Sequence, residues 1–178
     1  PFLQAHAKGA LGMSRGEGIA HHAGKFYVVD TAAGHGLFGQ RGHGNGAVWQ
    51  YDPREQTLRA IFVAGDEMVG DNIDNLTISP RGGIVLCEDG RPVTDEYGPG
   101  TRLLGLTADG DSYTFAKSSV ELTLEQIIAA GKRVSPGDYC GQEMAGACFD
   151  PFGEVLFVNI QRPGITFAIW GPWERGNL

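Results

Sequence analysis

Three segments of the chain repeat one pattern, and this repeat restricts the possible folds more than any other feature of the sequence. The segments are GIAHHAGKFYVVD (18–30), NLTISPRGGIVLCE (75–88) and GACFDPFGEVLFVN (146–159). Each begins as a short apolar strand, passes through a turn that contains glycine, and enters a second strand that ends on a polar side chain. Glycine suits such turns because it adopts positive φ without steric cost. The repeat therefore predicts three antiparallel hairpins.

A further pair of strands follows each of the first two hairpins, in AVWQYDPREQTLRAIF (47–62) and TRLLGLTADGDSYTFA (101–116). Four antiparallel strands in sequence order, repeated along a chain, are typical of β-propeller blades. We therefore predict an all-β fold in which residues 1–178 form a partial β-propeller, about three blades of a larger ring. The remaining blades are expected in the same protein. The segment LTLEQIIAAGK (122–132) predicts one short inserted helix.

Charge and cysteine content exclude several classes of function. The formal net charge is −7, so neither nucleic acid nor an anionic membrane is expected as a partner. No apolar stretch reaches the roughly 18–20 residues of a membrane-spanning helix. The three cysteines lack CxxC spacing, which argues against a disulfide framework or a zinc ribbon. Cys87 and Cys148 lie in apolar runs and are predicted to be buried.

Polar side chains mark both ends of the repeated hairpins. Equivalent positions in successive blades face the same way. The repeat therefore predicts that Asp30, Glu88 and Asn159 recur around one rim or the central channel, with Glu17, Asp74 and Glu143 at a similar level. Converging carboxylates repel one another, and Ca²⁺ with its oxygen ligands relieves that repulsion. The predicted metal ligands are Glu17, Asp30, Asp74, Glu88 and Glu143. The alternative for each residue is hydrogen bonding to nearby backbone, which is common at turns.

Arg15 and Glu17 are the predicted catalytic residues, in the stretch SRGEG (14–18). In an extended segment, residues two apart point to the same face. The planar guanidinium of arginine matches a phosphate or a carboxylate, so both side chains could serve one ligand. A salt bridge between Arg15 and Glu17 is the alternative.

Several strings resemble the C-terminal half of the PhoX-type alkaline phosphatases. They are SRGEGI (14–19), YVVDT (27–31), GAVWQYDP (46–53), DNLTISPRGGIVLCEDG (74–90), RLLGLTADG (102–110) and GQEMAGACFDPFGEVLFVNIQRPGITFAIWGPW (141–173). They cover most of the chain in the order of the family.

The resemblance implies a secreted or periplasmic phosphomonoesterase on a β-propeller, with Fe³⁺ and Ca²⁺ bridged by carboxylates and a phosphate monoester as substrate. Arg15 and Glu17 match the arginine–x–glutamate–glycine motif, in which the arginine binds phosphate and the glutamate binds metal. Gly16 stands where the family more often has proline. The iron-binding cysteine of the family belongs to its N-terminal half, so no cysteine here is given that role. The chain is therefore expected to be inactive alone.

Two other functions fit parts of the pattern. A calcium-dependent lactonase or sugar-acid hydrolase on a similar propeller would also place a glutamate before a strand that ends in aspartate, and would bind a single divalent ion. A non-catalytic propeller would present its loops to a protein or a glycan and would bind no metal. Metal content separates these three readings.

Overall fold

The computed structural model describes the whole chain, Pro1–Leu178, as a mostly β protein with short helices. The helices are α1 (Phe2–Ala7), α2 (Leu124–Ala129) and a final 3-10 turn (Trp173–Arg175). The strands are β1 (Gly16–His22), β2 (Lys25–Asp30), β3 (Ala47–Asp52), β4 (Thr57–Val63), β5 (Ile73–Ile78), β6 (Ile84–Glu88), β7 (Val93–Asp95), β8 (Gly98–Gly100), β9 (Arg102–Leu106), β10 (Ser112–Lys117), β11 (Glu121–Leu122), β12 (Gly137–Asp138), β13 (Met144–Phe149), β14 (Val155–Ile160) and β15 (Ile165–Trp170).

Three antiparallel sheets contain most of these strands. The first sheet has the order β1-β2-β3-β4, the second β5-β6-β9-β10 and the third β13-β14-β15. The two-stranded sheets β7–β8 and β11–β12 lie outside these sheets, and α2 connects the two strands of the second pair. The three predicted hairpins are confirmed as β1–β2, β5–β6 and β13–β14. The fold is thus all-β, but none of the sheets closes on itself, and the propeller stays a prediction.

The second sheet lies between the other two. Its first strand, β5, contacts both β1 and β13, so the first strands of the three sheets are neighbours. Strand β6 is buried along its whole length because its two faces pack against different sheets. Leu86 belongs to the core shared with the first sheet, and Val85 and Cys87 to the core shared with the third. Two-sided burial explains why IVLC reads as an unbroken apolar run.

The helices differ in part from the sequence prediction. The predicted inserted helix is α2, which starts at Thr123 with a capping box that Gln126 completes. Only Ile127 of its apolar residues is buried, while Leu124 and Ile128 are exposed. The N-terminal α1 was not predicted, and it buries none of its residues. No helix combines the length and the apolar character that crossing a membrane requires.

The cysteine prediction is half right. Cys87 is fully buried, and burial raises the pKa of its thiol to about 12. Cys148 is exposed, so its predicted burial is wrong. Successive strand residues face opposite sides of a sheet, and Ala147 occupies the inward position beside it.

Candidate functional site

The three sheets begin with the same backbone arrangement. In each, the residue after the second strand donates its N–H to the carbonyl oxygen of the residue before the first strand. These bonds run from Thr31 to Arg15 (2.8 Å), from Asp89 to Asn72 (3.1 Å) and from Gln161 to Glu143 (2.9 Å). Arg15, Asn72 and Glu143 are therefore structurally equivalent, although their side chains differ.

A β-bulge follows this point in each sheet. The pairing register shifts between Gly16 and Ile19, between Ile73 and Asn75, and between Ala145 and Cys148. Glu17 and Asp74 lie inside the first two bulges. Bulges redirect side chains and are frequent beside active sites. Here they occur where the first strands of adjacent sheets meet.

Gly18 allows the first two sheets to approach closely at this point. A Cβ atom at Gly18 would lie 2.8 Å from the carbonyl oxygen of Asp74 and 3.1 Å from the Cα of Asn75. Only a residue without a side chain leaves both strands in place. The second glycine of SRGEG therefore brings Glu17 next to Asp74.

Four carboxylates gather at the start of the three first strands, and we call them the carboxylate cluster: Glu17, Asp74, Asp89 and Glu143. Burial raises the pKa of Asp74 to about 6, with further contributions from the charges of Asp89 and Glu17. Burial also raises the pKa of Glu143 to about 7, and the carboxylates of Asp89 and Asp74 add to this through charge and hydrogen bonding. The cluster thus contains more negative charge than its surroundings offset.

Arg15 is the cation beside the carboxylate cluster. Its Nη2 lies 2.7 Å from Glu17 Oε1 and 3.8 Å from Asp89 Oδ2. About half of its side chain remains exposed. A guanidinium has five N–H donors, so these two contacts leave donors free for a ligand.

The family model for alkaline phosphatase PhoX matches residues 1–164. The chain belongs to the PhoX alkaline phosphatase family. No curated protein matches the chain. The family match covers most of the chain and is not confined to one half of it. That the chain corresponds to the C-terminal half of a PhoX protein stays a prediction.

Of the predicted site residues in this PhoX family member, the structure brings together Arg15, Glu17, Asp74 and Glu143. Asp30 is not part of this group. It is buried, and its carboxylate accepts backbone N–H bonds from Ser14 and Arg15 at 3.0–3.1 Å. Asp30 therefore contacts the segment that carries Arg15, in the backbone-bonding role that the sequence left open.

Glu88 also lies apart from the carboxylate cluster. It is fully buried and forms an ion pair with Arg102, with 2.6 Å between Oε1 and Nη2. It also accepts backbone N–H bonds from Asp71 and Arg102. The interior partners of Glu88 disfavour its predicted role as a metal ligand.

Sequence reasoning misplaced one residue and missed another. Asn159 was aligned with Asp30 and Glu88, but the residue that pairs in their position is Ile160. Asn159 instead bonds to Ala145 and Thr166. Asp89 was not predicted, although it lies in the cluster. Its signal was the acidic pair Glu88–Asp89 at a strand end, where adjacent side chains face opposite ways.

The donor chemistry of the carboxylate cluster fits a hard cation. All four side chains offer oxygen ligands, which Ca²⁺ prefers. A multivalent cation would also offset the mutual repulsion that, after burial, helps to raise the pKa values of Asp74 and Glu143. No three Asp, Glu, His or Cys side chains are arranged to chelate a single metal ion. The cluster thus has suitable ligand atoms without a preformed chelate.

Proposed function

We propose that this chain supplies part of the site of a metal-dependent phosphomonoesterase. In this proposal the carboxylate cluster holds Ca²⁺ and Fe³⁺, and Arg15 binds the phosphate of the substrate. The observation that carries the proposal is the meeting of four carboxylates and one half-exposed arginine at the first strands of three sheets. Membership of the PhoX family supports the reaction class.

Phosphate ester hydrolysis explains why an acidic site would serve an anionic substrate. A phosphomonoester is a dianion, and its charge spreads over the phosphoryl oxygens in the transition state. Bound multivalent ions would neutralise part of that charge. Arg15 adds a guanidinium whose parallel N–H donors match two phosphate oxygens. Glu17 orients Arg15 through their 2.7 Å contact and offers its other oxygen to the metal site.

We also propose that the three sheets are consecutive blades of a β-propeller. Adjacent first strands and a shared strand order support this architecture. A closed ring needs at least four blades, so further blades of the same protein would complete it. Residues 1–178 then form one partial domain that is inactive alone. A periplasmic or secreted location follows from the family resemblance and belongs to the same proposal.

The test is Glu17→Gln in the full-length protein, with Glu55→Gln as the matched control. Glu55 lies in the exposed turn between β3 and β4, away from the carboxylate cluster. We expect Glu17→Gln to lose bound metal in elemental analysis and to lose hydrolysis of an aryl phosphate, while the control keeps both. Near-normal turnover with full metal content in Glu17→Gln would contradict the proposal. A single bound divalent ion with lactone hydrolysis would favour the lactonase alternative instead.

A further inference from the structure

Two buried carboxylates occupy the same position in the first and second sheets. Asp30 pairs with Gly16, the first residue of β1, and Glu88 pairs with Ile73, the first residue of β5. Each ends the second strand of its sheet, and each is almost inaccessible to solvent. Burial of an ionised carboxylate is costly unless hydrogen bonds compensate it, so the partners of these groups indicate their role.

Both carboxylates bind the backbone just before the first strand. Asp30 accepts the N–H of Ser14 at 3.0 Å, and Glu88 accepts the N–H of Asp71 at 2.9 Å. Ser14 and Asp71 are equivalent in the shared backbone arrangement, because each precedes one of the aligned residues Arg15 and Asn72. Each donor also lies three residues before a member of the carboxylate cluster, Glu17 or Asp74.

The third sheet lacks both parts of this arrangement. Ile160 occupies the position of Asp30 and Glu88, so no carboxylate is present there. The equivalent donor, Gln142, bonds instead to the carbonyl oxygen of Tyr139. Three residues after Gln142 stands Ala145, which is not a cluster carboxylate. A buried carboxylate at the end of the second strand and a cluster carboxylate three residues after the donor thus occur together in two sheets. The third sheet has neither at these positions, and its cluster member, Glu143, stands instead at the position of Arg15 and Asn72.

Hydrogen bonds within the protein fill the acceptor sites of Glu88 and occupy both oxygens of Asp30, which leaves Glu88 no oxygen lone pair, and Asp30 little capacity, for a metal. Glu88 Oε1 accepts from Asp71 and Arg102 Nη2, and Oε2 accepts from the backbone N–H and Nε of Arg102. These bonds use all of the roughly four acceptor sites of a carboxylate. Asp30 uses both of its oxygens on the N–H groups of Ser14 and Arg15.

We propose that Asp30 and Glu88 are positioning residues that hold the segments leading to Glu17 and Asp74, and that neither is a metal ligand. The inference rests on the proposed function, since it assigns these residues a role toward the metal site. Asp30 fixes the backbone of Arg15 directly, and so fixes both the phosphate-binding arginine and the glutamate two residues later. Glu88 fixes the turn at Asp71 that leads into the bulge at Asp74.

The test is Asp30→Asn, with Asp150→Asn as the matched control. Asp150 likewise accepts two backbone N–H bonds through one carboxylate oxygen, but in the turn at the far end of β13. Titration calorimetry with Ca²⁺ gives affinity and stoichiometry, and amide hydrogen exchange reports directly on the N–H groups of Ser14 and Arg15. Loss of a residue that supports metal ligands typically weakens metal binding about 10–100-fold.

We expect Asp30→Asn to weaken Ca²⁺ binding by that factor, to keep its stoichiometry, and to speed exchange at Ser14 and Arg15. The control should change none of these. Loss of a bound ion without faster amide exchange would mean that Asp30 is a metal ligand, and this would overturn the inference. Unchanged Ca²⁺ affinity would also overturn it, because Asp30 would then not support the metal site. A wild-type protein that binds no Ca²⁺ would instead contradict the proposed function. If Asp30→Asn does not fold, fast exchange of both amides in the wild type would still overturn the positioning role.

Discussion

Two arginine–glutamate pairs in this protein have nearly the same length and opposite surroundings. Arg15 Nη2 lies 2.7 Å from Glu17, with 48% and 33% of the two side chains exposed. Arg102 Nη2 lies 2.6 Å from Glu88, with only 2% and 1% exposed. Solvent weakens the attraction within the first pair. The second pair is buried, where a charge without a partner is strongly destabilising. The distance within a pair therefore says little about its role.

The partners of each arginine show the difference in function. Besides Glu88, Arg102 donates to the carbonyl oxygens of Met68 and Glu67, so it fastens the loop before β5 to the second sheet. Arg15 has its two carboxylate contacts and open solvent beside them. The Arg102–Glu88 pair supports the carboxylate cluster from inside the protein, whereas the Arg15–Glu17 pair lies at the surface, where a ligand can reach Arg15.

Removal of the buried partner should have the largest effect. Glu88→Gln leaves Arg102 buried and without its counter-charge, which typically costs about 3–5 kcal/mol of unfolding free energy. Urea unfolding measures the change. The double variant Glu88→Gln, Arg102→Leu removes both charges and should recover part of the loss. A loss no larger than that of Glu55→Gln in its exposed turn would show that the buried pair does not carry this structural role.

A change to the exposed arginine should affect turnover more than folding. Arg15→Lys keeps the charge but loses the two parallel donors, and loss of one such donor costs about 2–4 kcal/mol in the transition state, on the order of a hundredfold in kcat. The free energy of unfolding should change by less than about 1 kcal/mol, because exposed ion pairs contribute little. Steady-state kinetics and urea unfolding of the full-length protein measure both.

The control for Arg15→Lys is Arg54→Lys, in the exposed turn between β3 and β4. If Arg15→Lys and Arg15→Ala both keep wild-type turnover, and inorganic phosphate still inhibits equally well, Arg15 does not bind the phosphate. The Arg15–Glu17 contact would then be a surface salt bridge only.

The hairpins and their order were predictable because they depend on patterns that the sequence shows directly. Period-two alternation and turn glycines locate strands to within a few residues, and this is enough to find β1–β2, β5–β6 and β13–β14. The hydrophobic run IVLC also indicates a strand with two buried faces.

The roles of single carboxylates were less predictable, because a shift of one residue moves a side chain to the other face of a sheet. Glu88 faces the interior and Asp89 faces the carboxylate cluster, yet the sequence gives no sign of which is which. Asn159 was one residue out of place in the same way, because Ile160 pairs with Met144 where Asp30 pairs with Gly16. Nor does the sequence show that Asp30 receives three backbone bonds.

A smaller loss of stability is expected from a change at Gly18, the residue after Glu17 of the exposed pair. Gly18→Ala places a Cβ atom 2.8 Å from the carbonyl oxygen of Asp74, so β1 and β5 must move apart. Such overpacking typically costs about 1–3 kcal/mol. The matched control is Gly65→Ala, where a Cβ atom meets nothing within 4 Å. Urea unfolding should show a loss in Gly18→Ala alone, and Ca²⁺ affinity should fall with it. Equal stability of the two variants would contradict the close approach.

The smallest expected effect is a dependence of thermal stability on pH in the metal-free protein. It tests the carboxylate cluster directly. The pKa of Asp74 rises to about 6 from 3.8, and that of Glu143 to about 7 from 4.5, in the folded protein. An acid with a raised pKa in the folded state loses its proton more easily when unfolded. Its contribution to stability is therefore fully present below about pH 4 and is lost as the pH rises toward 7.

In EDTA we expect a higher Tm at pH 5 than at pH 8, by a modest amount because Glu143 remains partly accessible to solvent. The comparison needs Asp74→Asn and Glu143→Gln, whose uncharged side chains should flatten the profile between pH 4 and 7. Saturating Ca²⁺ should restore the Tm at pH 8 in the wild type and have less effect in both variants, since the bound cation offsets the charge that deprotonation creates. Parallel profiles of wild type and variants, with no response to Ca²⁺, would mean that these carboxylates neither repel one another nor share a metal.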